Sequence, residues 1–490
     1  MKILMLDLDT LRPDHMGCYG YFRNTTPVLD QVAAEGVRFT NYHCSDAPCL
    51  PSRAALCSGR FGFHNGAVGH GGLPADMRLT GIERGFNDQR DWNNFFHLFR
   101  KAGMYTASIS PFAERHSSFW FTAGFNEVYN TGKCGGESAE EILPVALDWV
   151  KRNAASRENW FLHINFWDAH TPYRAPAEFG NPFEKDPIPD WITDEILKEH
   201  NHLTGPHGSM EIGMYTDREN PNLPRHPGKV TDQAGLRRFF DGYDCGIRYM
   251  DSMIGKLFDA LKAEGVFDDL AIIVTSDHGE NLGELGLYAE HATADEITTR
   301  IPMLIKWPGI KPGTVLDGFY YNLDLVPTMA DLLGLPHYEK WDGQSYAKDL
   351  ISGEDHGREY LVVSQCAHVC QRSVRFGDYL YMRTYHDGYH LWENEMLFNL
   401  KTDPHEQVNL AKERPDLCGT ACRYLVEWEH QMRLTADSDV DPLMTVLREG
   451  GPYHAKEGDL PAYCRRLEET GRADGAVALR KKYPEKFERS

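Results

Sequence analysis

A cysteine, an arginine and a helix start fall together in Cys49-Leu50-Pro51-Ser52-Arg53. Pro51 sits where a helix can begin, Ser52 and Arg53 fall in its first turn, and Ala54 to Leu56 are good helix formers. Cys49 is therefore expected at or just before a helix N-terminus, where unpaired backbone N–H groups favour an anion. Arg53, one turn on, can point back at the same spot. On these residues alone, an inert thiol of low pKa and a catalytic one both stay open.

A second group has the chemistry of a hard-cation site. Asp9 follows the apolar run Ile3 to Leu8, and Asp277-His278-Gly279 follows the run Leu270 to Thr275. Aspartates at converging strand exits can supply the oxygen ligands that calcium wants. Asp7 would share their face if its strand stays regular to the end. A third group is cationic or proton-carrying: Arg53, Arg60, His64, His70, His170 and His291. Moving an oxyanion between a nucleophile and a leaving group needs charge clamps and a general acid, and histidine can serve as either. The chain has 22 histidines, so an ordinary structural role competes with each assignment. Position favours His170, just past a buried strand and before Pro172, and His291, in a loop-like segment soon after Gly286.

The elements that must carry these residues alternate. Ile3 to Leu8, Val37 to Asn41, Tyr105 to Ile109, Trp160 to Phe166, Leu270 to Thr275 and Ile301 to Ile305 read as strands. Between them, Asn24 to Gly36, Trp92 to Ala102, Ala139 to Lys151, Leu236 to Glu264 and Leu325 to Leu333 read as helices. Polar residues recur at strand exits, which points to an α/β fold with a large, mostly parallel sheet flanked by helices. Phe61 to Gly72 reads as a loop over the site, and Ala175 to Val230 as an insertion forming a rim or lid. After Gly343 short strands and turns indicate a small antiparallel subdomain, and Leu417 to Met432 a helix packed on it. The expected division is a catalytic domain over 1–345, the antiparallel subdomain over 346–434, and a polar extension over 435–490. That extension reads as irregular, or as a contact building a homo-oligomer.

Composition limits the partners. A formal charge of -21 argues against nucleic acid and anionic membranes, and requires an anionic substrate to find a local cationic pocket. Eleven scattered cysteines suit a reducing compartment better than a disulfide framework. The N-terminus reaches Asp7 and Asp9 too soon for a signal-peptide apolar region, so the expected location is cytoplasmic. No stretch approaches the roughly 18–20 apolar residues of a membrane span.

Cys49-Leu50-Pro51-Ser52-Arg53 with Ser58-Gly59-Arg60 resembles the signature of type I sulfatases, within the alkaline-phosphatase-like superfamily. Leu8 to Gly20, Asp168 to Tyr173, Ser276 to Glu280, Arg300 to Met303, and the C-terminal Leu397 to Leu400 and Asp403-Pro404 elements occur in family order, so the likeness spans residues 1–412. The resemblance implies sulfate-ester hydrolysis by a formylglycine hydrate made from Cys49 by a maturing enzyme. It implies Ca2+, with Mg2+ or Mn2+ as alternatives, on Asp9, Asp277, His278 and residue 49. Arg53 would bind the nucleophile, Asp277 hold a diol proton, and His170 bind a sulfate oxygen. One departure stands out: where many members carry a lysine and a histidine, this chain reads Ser108-Ile109-Ser110-Pro111-Phe112. His64, His70 or Arg115-His116 could fill that gap, and His291 falls near a second family lysine, as leaving-group acid. A small sulfated substrate, a sugar, is expected, the insertion and Tyr381, Tyr385, Tyr389 and Trp392 shaping its pocket. Phosphonate monoester or phosphodiester hydrolysis and N-sulfoglucosamine hydrolysis are the alternatives, as is a non-catalytic binder of sulfated glycans.

Overall fold

In chain order the strands are β1 (Lys2–Leu8), β2 (Val37–His43), β3 (Asp46–Ala47), β4 (Tyr105–Ile109) and β5 (Glu127–Tyr129). Then follow β6 (Trp160–Phe166), β7 (Ala271–Thr275), β8 (Asn281–Leu282), β9 (Tyr288–Glu290), β10 (Met303–Lys306) and β11 (Thr314–Tyr321). The last four are β12 (Tyr360–Gln365), β13 (Cys370–Phe376), β14 (Tyr379–His386) and β15 (Glu395–Asn399). They come from a computed structural model that describes residues 1–75, 77 and 93–487.

β1 is apolar on both faces apart from Lys2 and Asp7, and it lies in the middle of an eight-stranded sheet ordered β11-β2-β10-β7-β1-β6-β4-β5. It pairs in parallel with β6 and β7, so the exits carrying Asp9, Asp168 and Asp277 stand side by side. β10 alone among these strands runs antiparallel to its neighbours. The expected large mixed sheet is therefore present. A second sheet, β15-β14-β13-β12-β3, is antiparallel except where β3 joins β12. The chain leaves the large sheet at His43, touches the small one through β3, and enters the Cys49–Ser58 helix. The helix start is thus held between the two sheets.

Every residue of that helix is buried, and it ends at Gly59, whose φ of 67° is left-handed. A Cβ there would lie 2.6 Å from Cδ1 of Trp341. Gly59→Ala is therefore expected to cost about 1–3 kcal/mol, read as a lower urea midpoint at unchanged slope. The Gln233–Ala263 helix presses on the β6 exit through Gly246, where a Cβ would come within 2.3 Å of the Asp168 carbonyl oxygen.

Several expectations are corrected. The first helix covers only Leu29–Glu35, because Pro27 and the turn before it keep the chain irregular. The helix expected from Trp92, a residue outside the described ones, runs Phe95–Lys101. Phe61 to Gly72 is loop except for a buried helical turn, Gly62–Asn65. The extension is not irregular either. It forms helices at Pro442–Arg448, Tyr453–Glu457, Leu460–Glu469 and Ala473–Lys482. Leu460, Tyr463, Cys464, Leu467, Ala476 and Leu479 form a buried cluster with Tyr389 of the β14–β15 connection. The extension is also tied to the 175–230 insertion. The Tyr463 hydroxyl accepts from the Gly205 N–H at 2.8 Å, and Arg472 makes two 2.7 Å contacts with the buried Glu211 carboxylate. None of the described helices is long and apolar enough to cross a membrane.

Candidate active site

Asp9, Cys49, Asp277 and His278 offer ligand atoms that all lie within 4.8 Å of one another, and all four are buried. Cys49 is the first residue of its helix, and its Sγ is 3.0 Å from His278 Nε2. His278 Nδ1 lies 2.8 Å from the Gly279 carbonyl oxygen, which makes Nδ1 the protonated nitrogen and leaves the Nε2 lone pair facing the cluster. Ser52 Oγ donates to the Asp277 carbonyl at 2.6 Å, fixing the helix to the β7 exit. Thr10 turns the chain at φ 57°, a strained value for a β-branched residue, and its N–H donates to Asp277 Oδ1 at 3.3 Å.

Charge at this point is unbalanced. Arg53 reaches three carboxylates: Nε and Nη2 donate to Asp7 at 3.0 Å, Nη2 also to Asp9 Oδ2 at 3.0 Å, and Nη1 to Asp277. Its guanidinium lies on the Phe112 ring, 4.8 Å from the centroid. One buried cation thus faces three buried carboxylates. Burial, then the Asp277 carboxylate, pushes Asp9 well above the usual carboxylate range. Burial, then Asp9 and Asp277, pushes the Cys49 thiol up as well. The reading of Cys49 as a low-pKa thiol is thereby corrected, because burial first, and then the two carboxylates, outweigh Arg115 and Arg53.

The buried side-chain atoms that lack hydrogen-bond partners among the described residues include Asp9 Oδ1 and His170 Nε2. They face each other at 4.0 Å. Two excess carboxylates, an orphaned carboxylate oxygen and an imidazole lone pair fit a divalent cation of the oxygen-preferring kind. The residues that would hold it are Asp9, Asp277, His278 and residue 49, and the cation would balance the surplus negative charge. Asp7 does not join them. Burial raises it, but Arg53 and His163 more than offset this and hold it below the ordinary range. Both its oxygens face Arg53, and His163 Nε2 stands 3.5 Å from Oδ2.

The other sequence candidates separate. His291 is at the site, its ring 4.1 Å from His278 and 5.4 Å from His170. Its Nε2 lies 3.1 Å from Glu290 Oε1. His70 lies farther off, its Nδ1 3.0 Å from His454 Nε2. His64 is elsewhere: Nδ1 pairs with Asp342 at 2.7 Å and Nε2 with the Met432 carbonyl at 2.8 Å, so both nitrogens are committed to a structural joint. Arg60 pairs with Asp437 at 3.3 Å in the same region. Tyr381 spends its hydroxyl on Glu395 at 2.7 Å and is buried in the second core.

At the position of the absent lysine–histidine pair, Ser108 Oγ pairs with His163 Nδ1 at 2.9 Å and Ser110 Oγ with Asn165 at 3.1 Å. The next cation along the chain, Arg115, is exposed, stands 5.2 Å from the Trp167 ring centroid, and its charge acts on Asp9 and Cys49. Arg174 donates to the Gly135 and Trp167 carbonyls at 2.7 and 3.1 Å, bracing the His170 turn. Asp168 caps the Ala139–Asn153 helix by accepting from the Ala139 N–H at 3.0 Å, and burial first of all lifts it to about 7. Glu290, His368 and His454 belong to no recognised motif; only the adjacency of Glu290 to His291 marked any of them in the sequence.

The family model described as sulfatase matches residues 2–335. The chain belongs to the sulfatase family. It is thus a sulfuric ester hydrolase with the alkaline-phosphatase-like architecture. A second model, described as the C-terminal part of N-sulphoglucosamine sulphohydrolase, matches residues 283–417. Among curated relatives, a choline-sulfatase of Rhizobium meliloti is 28% identical over 431 residues, covering 79% of this chain and 77% of its own. Among solved structures, BT4656 in complex with its substrate D-glucosamine-2-N,6-O-disulfate has a TM-score of 0.68 at 19% identity, covering 90% of this sulfatase and 99% of its own chain. A phosphonate monoester hydrolase of Agrobacterium radiobacter gives 0.65 at 18%, covering 88% and 96%. These two structures share the fold.

Proposed function

We propose that this sulfatase removes sulfate from a small sulfated carbohydrate, with residue 49 converted to formylglycine by a maturing enzyme and Ca2+ held by Asp9, Asp277, His278 and residue 49. The observation that carries the reading is the surplus of buried carboxylate around the start of the Cys49 helix, facing the orphaned pair Asp9 Oδ1 and His170 Nε2. As the hydrate, residue 49 would supply an oxygen nucleophile and a second hydroxyl through which sulfate can be expelled, while the cation would polarise the sulfate oxygens. Arg53 orients Asp7, Asp9 and Asp277 around that residue. Neutral His170 would offer its Nε2 to the sulfate side, and His291, whose Nε2 lies 3.1 Å from Glu290, would protonate the departing alcohol.

Arg115 is the cation proposed in place of the missing lysine–histidine pair. Its exposed position on the Trp167 ring leaves it able to reach an incoming anion. Arg115→Ala is expected to lower kcat/KM for sulfate esters about 10- to 100-fold, mainly through KM, with Arg115→Lys recovering part of the loss. The carbohydrate assignment is supported by the disulfated glucosamine that BT4656 takes as substrate. The N-sulphoglucosamine sulphohydrolase match supports N-desulfation as a second reading, and the phosphonate hydrolase likeness supports phosphonate esters as a third. A panel of sugar O-sulfates, N-sulfoglucosamine, an aryl sulfate and a phosphonate monoester decides among them. Highest kcat/KM on a sugar O-sulfate is the expected result; a phosphonate preferred over every sulfate would refute the reading.

A further inference from the structure

A row of imidazoles leads from the nucleophile to the C-terminal extension. The His291 ring is 4.1 Å from His278 and 5.8 Å from His368, and His368 stacks on His454 at 4.0 Å with planes 17° apart. His70 approaches His454 from the other side, Nδ1 to Nε2, at 3.0 Å, and its own Nε2 is buried with no hydrogen-bond partner among the described residues. Glu290 lies among them, 3.5 Å from His368 Nε2 and 3.3 Å from His207 Nε2. His207 belongs to the insertion, His368 to the β12–β13 turn and His454 to the extension, so segments distant in sequence converge here. The His454 N–H donates to the Ala367 carbonyl at 3.0 Å and holds the last two together. His70, His368, His207 and His454 lie outside the group that holds the nucleophile and the cation.

Resting on the sulfatase reading above, we infer that His70, His368 and His454 form the subsite for the leaving group, and that this subsite selects an uncharged polyhydroxylated ring. The chemistry follows from the side chains. Burial, joined by neighbouring imidazoles, keeps these histidines neutral at neutral pH. A neutral imidazole has one donor and one acceptor, the same complement as a sugar hydroxyl. The outer face of the stacked His368–His454 pair is an aromatic surface of the kind on which the apolar face of a sugar ring can lie. Ligand atoms of the three histidines also lie within 4.8 Å of one another, a spacing open to a transition metal. Parallel stacking, however, sets the His368 and His454 nitrogens side by side, whereas a tetrahedral ion needs them to converge.

The test compares two substrates on the full chain carrying formylglycine: a monosaccharide O-sulfate and a nitrophenyl sulfate. His454→Ala and His368→Ala are expected to reduce kcat/KM on the sugar sulfate about 30- to 100-fold, mostly in KM, and to leave the aryl sulfate within about threefold. His454→Gln, which keeps a donor and an acceptor, should recover part of the loss. Equal losses on both substrates, or an unchanged KM on the sugar, would overturn the subsite. So would one equivalent of Zn2+ bound by the wild type and lost in His454→Ala. Wild-type turnover of the aryl sulfate but of no sugar sulfate defeats the subsite together with the carbohydrate assignment and leaves sulfate-ester hydrolysis standing, whereas turnover of neither defeats sulfate-ester hydrolysis itself.

Discussion

Cys49→Ser is expected to stop after a single event at each site. The serine oxygen can attack sulfur and release the alcohol, but the resulting ester carries no neighbouring hydroxyl to expel sulfate. Steady-state turnover should fall by at least about 10⁴-fold, while the peptide bearing residue 49 gains about 80 Da of retained SO3. A burst of one alcohol per site with no inorganic sulfate is the kinetic counterpart. Sustained sulfate release by the serine variant near the wild-type rate would remove the need for a two-hydroxyl nucleophile. Cys49→Ala should show neither burst nor turnover. The elevated thiol pKa supports the same logic, since a thiol held protonated by burial, and then by the neighbouring carboxylates, is a poor nucleophile in its own right.

Asp9→Asn should separate stability from function. In the metal-free protein, Asp9 has a folded pKa raised above its unfolded value, first by burial and then by Asp277. Its ionised form is thus disfavoured in the fold, and it subtracts stability progressively as pH rises above about 4, the unfolded carboxylate value. Asparagine removes that effect. With a chelator present, Asp9→Asn should therefore melt above the wild type, and the gap should widen from acid toward neutral pH. Adding Ca2+ should reverse the order, because the cation stabilises only the protein that can bind it. Cation binding must also displace the Asp9 proton, so wild-type affinity should weaken as pH falls. Activity in the variant is expected about 10³-fold down. A chelated variant that melts below the wild type across this pH range would contradict the charge imbalance around Asp9.

The central strands were legible because each is a short apolar run bounded by polar residues. β4 and β6 begin and end where the apolar pattern does, and the Asp9, His170 and Asp277 exits follow from β1, β6 and β7. The positions that depend on distance were harder to read. His64 and Arg60 lie close to Cys49 in sequence, yet a straight helix of ten residues intervenes. At 1.5 Å per residue that carries Arg60 about 15 Å away from the nucleophile. Asp7 sits on the expected face of β1, but its oxygens are taken by Arg53, a pairing no spacing rule reveals. The extension hid its helices because Gly450-Gly451, Gly458 and Gly471 cut it into pieces of five to ten residues. His454 and His368 then reach the site through tertiary packing between segments that share no motif.

The most direct test is to correlate modification with turnover in one preparation. The chain is co-expressed with graded amounts of a maturing enzyme, and the peptide containing residue 49 is weighed while inorganic sulfate release from a sugar sulfate is measured. Conversion of Cys49 should lower that peptide by about 18 Da, and sulfate release should rise in proportion to the converted fraction. Full turnover by protein that retains the unmodified thiol would contradict the account, as would complete conversion with no sulfate released from any ester.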